Sequence, residues 1–280
     1  EAELARVLGA LLTRHGDSNL EVLGVARDRA RALLDLGRLQ EAREALEFAT
    51  RGLERILGAS HPEAAAAAVD LGRTLVALCE PDEAIALLRN AATKLEAENA
   101  RALGERRALR AWSALGSALA WRGKMTGNAA ETAEGADYCH RAWQRLAELF
   151  GPEHHETLSA AAAKGRAFVK AKRHSEAATF GREQLKLAED HLGRDHPTTL
   201  EISEALARSL ASAGTHSSMA AKEEALKFYR RVVEGTCQVL GPGHPNAVRT
   251  ALHFAQARAE VYGATEEAYD VCAAAVEAAA

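Results

Sequence analysis

The chain has 280 residues and a formal net charge of -4, and hydrophobic residues make up 48% of it while aromatic residues make up only 5%. This composition favours closely packed helices over a sheet core rich in Val, Ile and Tyr, and the charge gives no global attraction to nucleic acid or an anionic membrane. The four cysteines lie far apart with no CxxC pair, which argues against a disulfide framework or a zinc ribbon.

Short segments with the residues typical of a helix end followed by a helix start recur along the chain. After a predicted helix at residues 4–14, the pattern LGxxHP appears three times, one version lacks the final proline, and two copies are faint. The three full copies are Leu57–Pro62, Leu192–Pro197 and Leu240–Pro245. The version without the final proline is Phe150–His155, and the faint copies are His15-Gly16 and Leu103-Gly104. Measured from glycine to glycine, successive segments lie 42, 46, 47, 42 and 48 residues apart. The chain is therefore predicted to consist of repeats.

Each of these segments is predicted to end one helix and begin the next. A glycine just past a helix can adopt the left-handed conformation that closes the last turn, and proline is tolerated at the first helical position. The residue before a proline is pushed out of the helical region. We therefore expect His61, His196 and His244 at or near helix N-caps, and we prefer this turn role to metal binding, since no HExxH motif or i,i+4 His pair is present.

A second marker, Glu followed by Ala, falls inside each repeat. It occurs at Glu41, Glu83, Glu176, Glu224 and Glu267, with Glu134-Gly135 as the sixth copy. In repeats 1, 2 and 4 this alanine lies 26 residues after the glycine that ends the preceding helix. Each repeat is thus a first helix, a tight turn and a second helix. Small residues in the middle of the first helix allow close helix pairing; they are Ala30, Gly72, Ala118, Gly165, Ala207 and Ala255.

These markers identify residues 1–280 as a single array of repeats. Its approximate bounds are 1–15 (a second helix only), 16–57, 58–103, 104–150, 151–192, 193–240 and 241–280. Repeats 3 and 5 carry insertions, at Gly123–Ala133 and Gly214–Lys222, which we expect to be surface loops. Both ends lack the polar capping helix that helical arrays need, so we expect a piece of a longer protein or ends that pack on something else.

The LGxxHP segments and the Glu-Ala marker resemble the tetratricopeptide repeats of kinesin light chain and its bacterial relatives, with 42-residue repeats. The resemblance implies an all-α, right-handed α-solenoid of about six antiparallel helix pairs, with the first helices lining a concave groove. It also implies a non-enzymatic protein- or peptide-binding scaffold. In that family, asparagines of the first helix commonly hold an extended peptide, and this sequence has none at the corresponding places.

A row of arginines is predicted to line the groove. The residue after the small mid-helix position is arginine in four of six repeats: Arg31, Arg73, Arg166 and Arg208. Together with Arg27, Lys170 and Trp112, these residues form the predicted partner-binding set. Because guanidinium groups suit carboxylates and phosphates, we hypothesise an acidic segment as ligand. The alternative is that the arginines pair with neighbouring acids such as Asp35, Asp70 or Glu204 and only solubilise the face.

The remaining alternatives concern the class of protein. No arrangement typical of an enzyme, a metal site or a cofactor site is recognisable, and neither nucleic-acid binding nor a membrane span is expected. We expect a cytoplasmic location and, from the excess of Arg over Lys and the abundance of Ala, a bacterial source. The other functional hypothesis is a regulatory or sensor module that contacts other domains of the same polypeptide, such as an ATPase, a transcription activator or a caspase-like protease.

Overall fold

The described parts of the chain fold into helices. The computed structural model describes residues 1–59, 61–97, 102–212 and 218–263, and in these ranges it contains twelve helices and no strand. The helices are α1 (Ala2–His15), α2 (Leu20–Asp35), α3 (Leu39–Leu57), α4 (Pro62–Ala77), α5 (Pro81–Ala97), α6 (Ala102–Thr126), α7 (Ala129–Phe150), α8 (His155–Lys170), α9 (His174–Leu192), α10 (Pro197–Ala211), α11 (Met219–Leu240) and α12 (Pro245–Tyr262). The predicted all-α class is confirmed.

The helices pack in chain order within two compact units, an N-terminal half (Glu1–Arg145) and a C-terminal half (Leu146–Ala280). The first helices of the repeats are α2, α4 and α6 in one half and α8, α10 and α12 in the other. The remaining helices from α3 onward are second helices. Short turns reverse the chain between them, so neighbours such as α2 and α3 run antiparallel and bury leucines between them. In the described residues, no helix has the length and apolar character to cross a membrane.

Glycine ends the helices as predicted. Gly58 follows α3 with φ 90° and ψ 151°, a backbone region open almost only to glycine. Its N–H donates to the carbonyl of Glu54 at 3.0 Å, which satisfies one of the free carbonyls of the last turn. Gly151, Gly193 and Gly241 have φ between 88° and 91° and make the same bond.

Histidine caps the helices that follow. The Nδ1 atoms of His61, His196 and His244 accept hydrogen bonds from the backbone N–H two residues later, at 3.1–3.2 Å. In each case proline occupies the next position, where a missing N–H costs nothing. The predicted N-cap role is confirmed. His154 caps α8 in the same way without a following proline.

The Glu-Ala marker has a structural reason in three repeats. Glu83, Glu134 and Glu224 each stand near the start of a second helix and pair with an arginine of the preceding second helix. The partners are Arg43 at 3.4 Å, Arg89 at 3.4 Å and Arg182 at 2.8 Å. The marker glutamate thus links one helix pair to the next. The sixth marker, Glu267-Ala268, lies outside the described residues.

Two expectations about repeat 3 were wrong. Gly104 does not end a helix, because α6 already begins at Ala102. The insertion at Gly123–Ala133 is not a long loop: α6 continues to Thr126 and α7 begins at Ala129, so the extra residues lengthen both helices. The stretch from Ala129 to Ala136 is rich in Ala and Glu, which are strong helix formers. In repeat 5, α11 begins at Met219, inside the expected insertion, whose residues 214–217 lie outside the described ones.

Candidate functional site

A buried carboxylate organises the first helices of the N-terminal half. Asp70 lies on α4, and its side chain is 8% exposed. Its Oδ2 accepts hydrogen bonds from Arg27 at 3.2 Å and Arg31 at 3.3 Å, both on α2, and its Oδ1 lies 3.7 Å from Nη2 of Arg110 on α6. A buried carboxylate is costly unless it is paired, so Asp70 holds guanidinium groups from both neighbouring first helices.

A second carboxylate extends this network by two helical turns. Oε2 of Glu63 accepts a hydrogen bond from Nη1 of Arg27 at 2.9 Å, and Oε1 accepts one from Arg107 on α6. Burial alone would raise the pKa of the Glu63 carboxyl, but Arg107 and Arg27 together lower it below its ordinary value. Glu63 therefore stays charged and fixes the inner guanidinium groups.

Five arginines of the first helices belong to this network. We define the arginine cluster as Arg27, Arg31, Arg73, Arg107 and Arg110; the carboxylates that pair with it include Asp28, Glu63 and Asp70. Arg31 and Arg110 are 51% and 40% exposed, and Arg73 is exposed with no hydrogen bond or ion pair to any residue that the structure describes. Arg31, Arg73 and Arg110 therefore form the solvent-exposed part of the cluster.

The C-terminal half also buries a carboxylate. Glu204 on α10 is 3% exposed and accepts from Nη2 of Arg249 at 3.2 Å, while its Oε1 lies 3.1 Å from Nδ1 of His253. Burial would raise the pKa of Glu204, but the hydrogen bond with His253 and the charges of Arg249 and Arg208 outweigh it and lower the pKa to about 2. Glu204 is therefore ionised throughout the physiological range.

A cleft of about 390 Å³, counted out to the surrounding solvent, borders this pair. Glu201, Glu204, Val232 and Arg249 are among its lining residues. The cleft mixes charges of both signs with apolar side chains, and no group of three or more His, Cys, Asp or Glu side chains in the described residues is arranged to hold a metal ion.

The predicted residues of the C-terminal half are largely neutralised or half-buried. Nη1 of Arg166 donates to Oε2 of Glu201 at 2.6 Å. Lys170 is the last residue of α8 and is half-buried. Arg208 makes no hydrogen bond within the described ranges, but it is near enough to Glu204 to lower the pKa of that carboxyl. Glu201 and Glu204 thus offset part of the positive charge on this surface.

Trp112 does not face the arginine cluster. Its indole N–H donates to Glu96 on α5, its ring meets that of Tyr138 on α7 edge-on at 6.2 Å, and the Arg141 guanidinium lies 4.7 Å from the ring centre. The expectation that Trp112 lines the groove is corrected, because these neighbours belong to second helices. Two residues span about 200° around a helix, so Trp112 lies nearly opposite Arg110.

Arg107 and Arg110 are the residues that the sequence analysis missed. Both lie on α6 and reach the carboxylates of α4, Arg107 at Glu63 and Arg110 at Asp70. A signal was present in the sequence: Arg110 follows Asp70 by 40 residues and Asp70 follows Arg27 by 43, close to one repeat step each.

Comparisons with known proteins agree with this architecture. Family models of the tetratricopeptide repeat match residues 21–97 and 213–246. Within these two ranges the chain resembles tetratricopeptide repeats. No curated protein matches it. A Podosopora anserina protein of the kinesin light chain type, with nearly identical TPR-like repeats, is 22% identical with a TM-score of 0.55, covering 77% of this chain and 95% of its own. BtubC (BKLC) from P. vanneervenii is 13% identical with a TM-score of 0.58, covering 86% of this chain and 90% of its own. At these identities the likeness concerns the fold alone.

Proposed function

We propose that this tetratricopeptide repeat chain is a non-enzymatic scaffold for another protein, and that an acidic segment of the partner pairs with the arginine cluster. The observation that carries the proposal is the convergence of guanidinium groups from α2 and α6 on Asp70, with Arg73 exposed beside them. Tetratricopeptide repeats are typical of protein–protein interaction, and the cluster offers a surface with a defined charge preference.

The carboxylates beneath the cluster favour this role. Asp70 and Glu63 fix Arg27, Arg31 and Arg110 before any ligand arrives, so less side-chain freedom is lost on binding. Arginine presents a planar fork that pairs with carboxylates through two hydrogen bonds. A single exposed ion pair contributes little, but several aligned guanidinium groups act on one segment together.

The predicted partner-binding residues therefore fall into three groups. Arg27, Arg31 and Arg73 belong to the arginine cluster and remain in the proposal. Arg166, Lys170 and Arg208 are assigned a smaller contribution, because Glu201 and Glu204 offset their charge. Trp112 is left out, since its ring packs on second helices.

A peptide-binding measurement tests this proposal. A labelled peptide rich in Glu and Asp, and a matched peptide with Gln and Asn in their place, are titrated with the chain and followed by fluorescence anisotropy. We expect the acidic peptide alone to bind, with an affinity that falls as salt is raised above about 0.15 M. Equal binding of the two peptides would contradict the proposal.

A further inference from the structure

Three helices of the C-terminal half each present one face to the cleft beside Glu204. Counted from Pro197 on α10, the lining residues are spaced i, i+3, i+4 and i+7. Counted from Val232 on α11 the spacing is i, i+4, i+7 and i+8, and from Asn246 on α12 it is i, i+3 and i+4. Residues at these spacings share one face of a helix. The packing of the three helices therefore forms the cleft.

The buried part of the cleft is apolar. Leu200 and Val232 are 2% and 1% exposed, and Val239 lines the cleft at 45% exposure. The hydroxyl groups of Thr236 and Thr250 donate to backbone carbonyls of their own helices, at 2.7 Å and 2.8 Å, and these hydrogens are not available to a ligand. A group that enters this part of the cleft must therefore be apolar, since a polar group would lose its bonds to water without replacement.

The exposed lining residues offer an acceptor on α10 and donors on α12. Oε2 of Glu201 accepts from Nη1 of Arg166 at 2.6 Å, and its other oxygen, Oε1, bonds to no described residue. Arg249 donates from Nη2 to Glu204 at 3.2 Å, so Nε and Nη1 have no acceptor among the residues that the structure describes. The side-chain amide of Asn246 is exposed and likewise bonds to none of them.

These groups lie close together and are held in place. Glu201 and Glu204 are one helical turn apart on α10, and Glu204 contacts Arg249 directly, so the acceptor and the donors are separated by about one turn, roughly 5–6 Å. Arg166 fixes Glu201 and the buried Glu204 fixes Arg249, so little side-chain freedom is lost on binding. A ligand with a single charge would meet a like charge on one side. A ligand with both charges would not.

We propose that the cleft binds a free aliphatic α-amino acid, for which leucine is the probe. The ammonium group donates to Oε1 of Glu201. The carboxylate accepts from Arg249 and from the amide of Asn246. The aliphatic side chain lies against Leu200 and Val232. An amino acid carries one charge of each sign and an apolar branch on a single carbon, which matches the three kinds of surface that meet in the cleft.

This site consists of residues of the C-terminal half alone, and its ligand is a small molecule. The proposed scaffold function concerns a protein segment that pairs with the arginine cluster. The two proposals therefore use different residues and different ligands, and either one can fail without the other.

Calorimetric titration of the 280-residue chain with L-leucine and three analogues tests the site. Leucinamide lacks the carboxylate, N-acetyl-leucine lacks the ammonium group, and glycine lacks the aliphatic branch. We expect leucine to bind and each analogue to bind at least about tenfold more weakly, because each leaves one of the three surfaces without its partner.

Two substitutions locate the binding in the cleft. Glu201→Gln should weaken leucine binding about tenfold and Asn246→Ala about fivefold, the loss of one charged and one neutral hydrogen bond. Asn246→Ala breaks no described side-chain bond, and the backbone bonds of this residue to His244 and Thr250 remain. The matched control is Glu234→Gln, an exposed carboxylate of α11 that does not line the cleft, and it should leave the affinity unchanged. Circular dichroism verifies the fold of each variant.

Four results would overturn the amino-acid site. One is the absence of leucine binding at millimolar concentration, and another is an unchanged affinity in both Glu201→Gln and Asn246→Ala. Equal binding of N-acetyl-leucine and leucine would assign the cleft to the C-terminal residue of a protein instead. Equal binding of leucinamide and leucine would show that the carboxylate is not recognised.

Discussion

The N-terminal and C-terminal halves each bury one carboxylate in the middle first helix and surround it differently. Asp70 is contacted by arginines from the helices on both sides, and two of them are about half exposed. Glu204 is contacted by Arg249 and a histidine, both from α12. A buried carboxylate contacts guanidinium groups in both halves; those on Asp70 come from both neighbouring first helices, and the one on Glu204 comes from α12. Ion pairing within a face therefore does not exclude a role in binding.

The largest expected effect concerns Glu204. A pKa lowered from 4.5 to about 2 means that the ionised carboxylate stabilises the folded state by roughly 3 kcal/mol at pH 7. Glu204→Gln should lower the free energy of unfolding by about that amount. Since the folded-state pKa is depressed, the contribution is present above about pH 4.5 and is lost as the pH falls through about 2.

Urea denaturation of the parent chain and of Glu204→Gln, at pH 7 and at lower pH, measures the difference in their free energies of unfolding. The matched control is Glu201→Gln, one turn earlier on α10, whose carboxylate is 44% exposed and pairs with Arg166; it should cost less than about 1 kcal/mol. Equal costs for the two variants, or a cost for Glu204→Gln that does not depend on pH, would show that the buried pair is not the feature that sets the C-terminal half apart.

The next prediction concerns how closely neighbouring helices pack against each other. A Cβ atom added to Gly135 on α7 would lie 2.4 Å from the backbone nitrogen of Ala120 and 2.6 Å from the carbonyl oxygen of Gly116, both on α6. A Cβ added to Gly165 on α8 would meet only the Cβ of Ala205, at 3.2 Å. Gly135→Ala should therefore destabilise the fold by about 2–3 kcal/mol, because the helix backbones must separate.

Gly165→Ala is the control for this substitution. The gain of about 1 kcal/mol from replacing glycine inside a helix offsets its tighter contact, so its midpoint of thermal unfolding should stay close to that of the parent chain. A Gly135→Ala protein that melts at the same temperature as the Gly165→Ala protein would refute the close approach of α6 and α7.

A smaller effect tests a turn that the two halves share. Gly37 and Lys172 both follow a first helix with φ of 73° and 59°, and in each case the next N–H bonds to the carbonyl five residues back at 2.9 Å. A left-handed conformation costs a non-glycine residue about 1 kcal/mol, so Lys172→Gly should stabilise the chain by about that amount in chemical denaturation. A loss of stability would show that the Lys172 side chain has a role that the turn geometry does not explain.

The sequence predicted the fold better than the site. Glycine and histidine at helix boundaries act through local backbone chemistry, so Gly58 and His61 were placed correctly from their immediate neighbours. The insertion at Gly123–Ala133 was misplaced because its glycines suggested a loop, while its alanines and glutamates extend both helices. Helix propensity over the whole segment outweighed the turn signals.

The site depends on which helix faces meet, which single positions do not reveal. The alternative that the arginines pair with neighbouring acids named Asp70, and Arg31 does bond to it, 39 residues away. That arginines of α2 and α6 both meet on Asp70 follows only from how these helices pack on α4. On α6 the sequence analysis selected Trp112, whereas Arg107 and Arg110 are the residues that reach Glu63 and Asp70. Searching for charges of opposite sign one repeat apart would have found the network.

The central claim is that the N-terminal half, and not the C-terminal half, offers the positive charge that binds an acidic partner segment. Arg73 and Arg208 both directly follow the small residue of a first helix, and neither hydrogen-bonds to a described residue, so they form a matched pair. The affinity of the chain for a Glu-rich peptide should fall about fivefold in Arg73→Gln, equivalent to about 1 kcal/mol, and stay unchanged in Arg208→Gln. Equal losses in the two variants, or a loss in Arg208→Gln alone, would contradict the account.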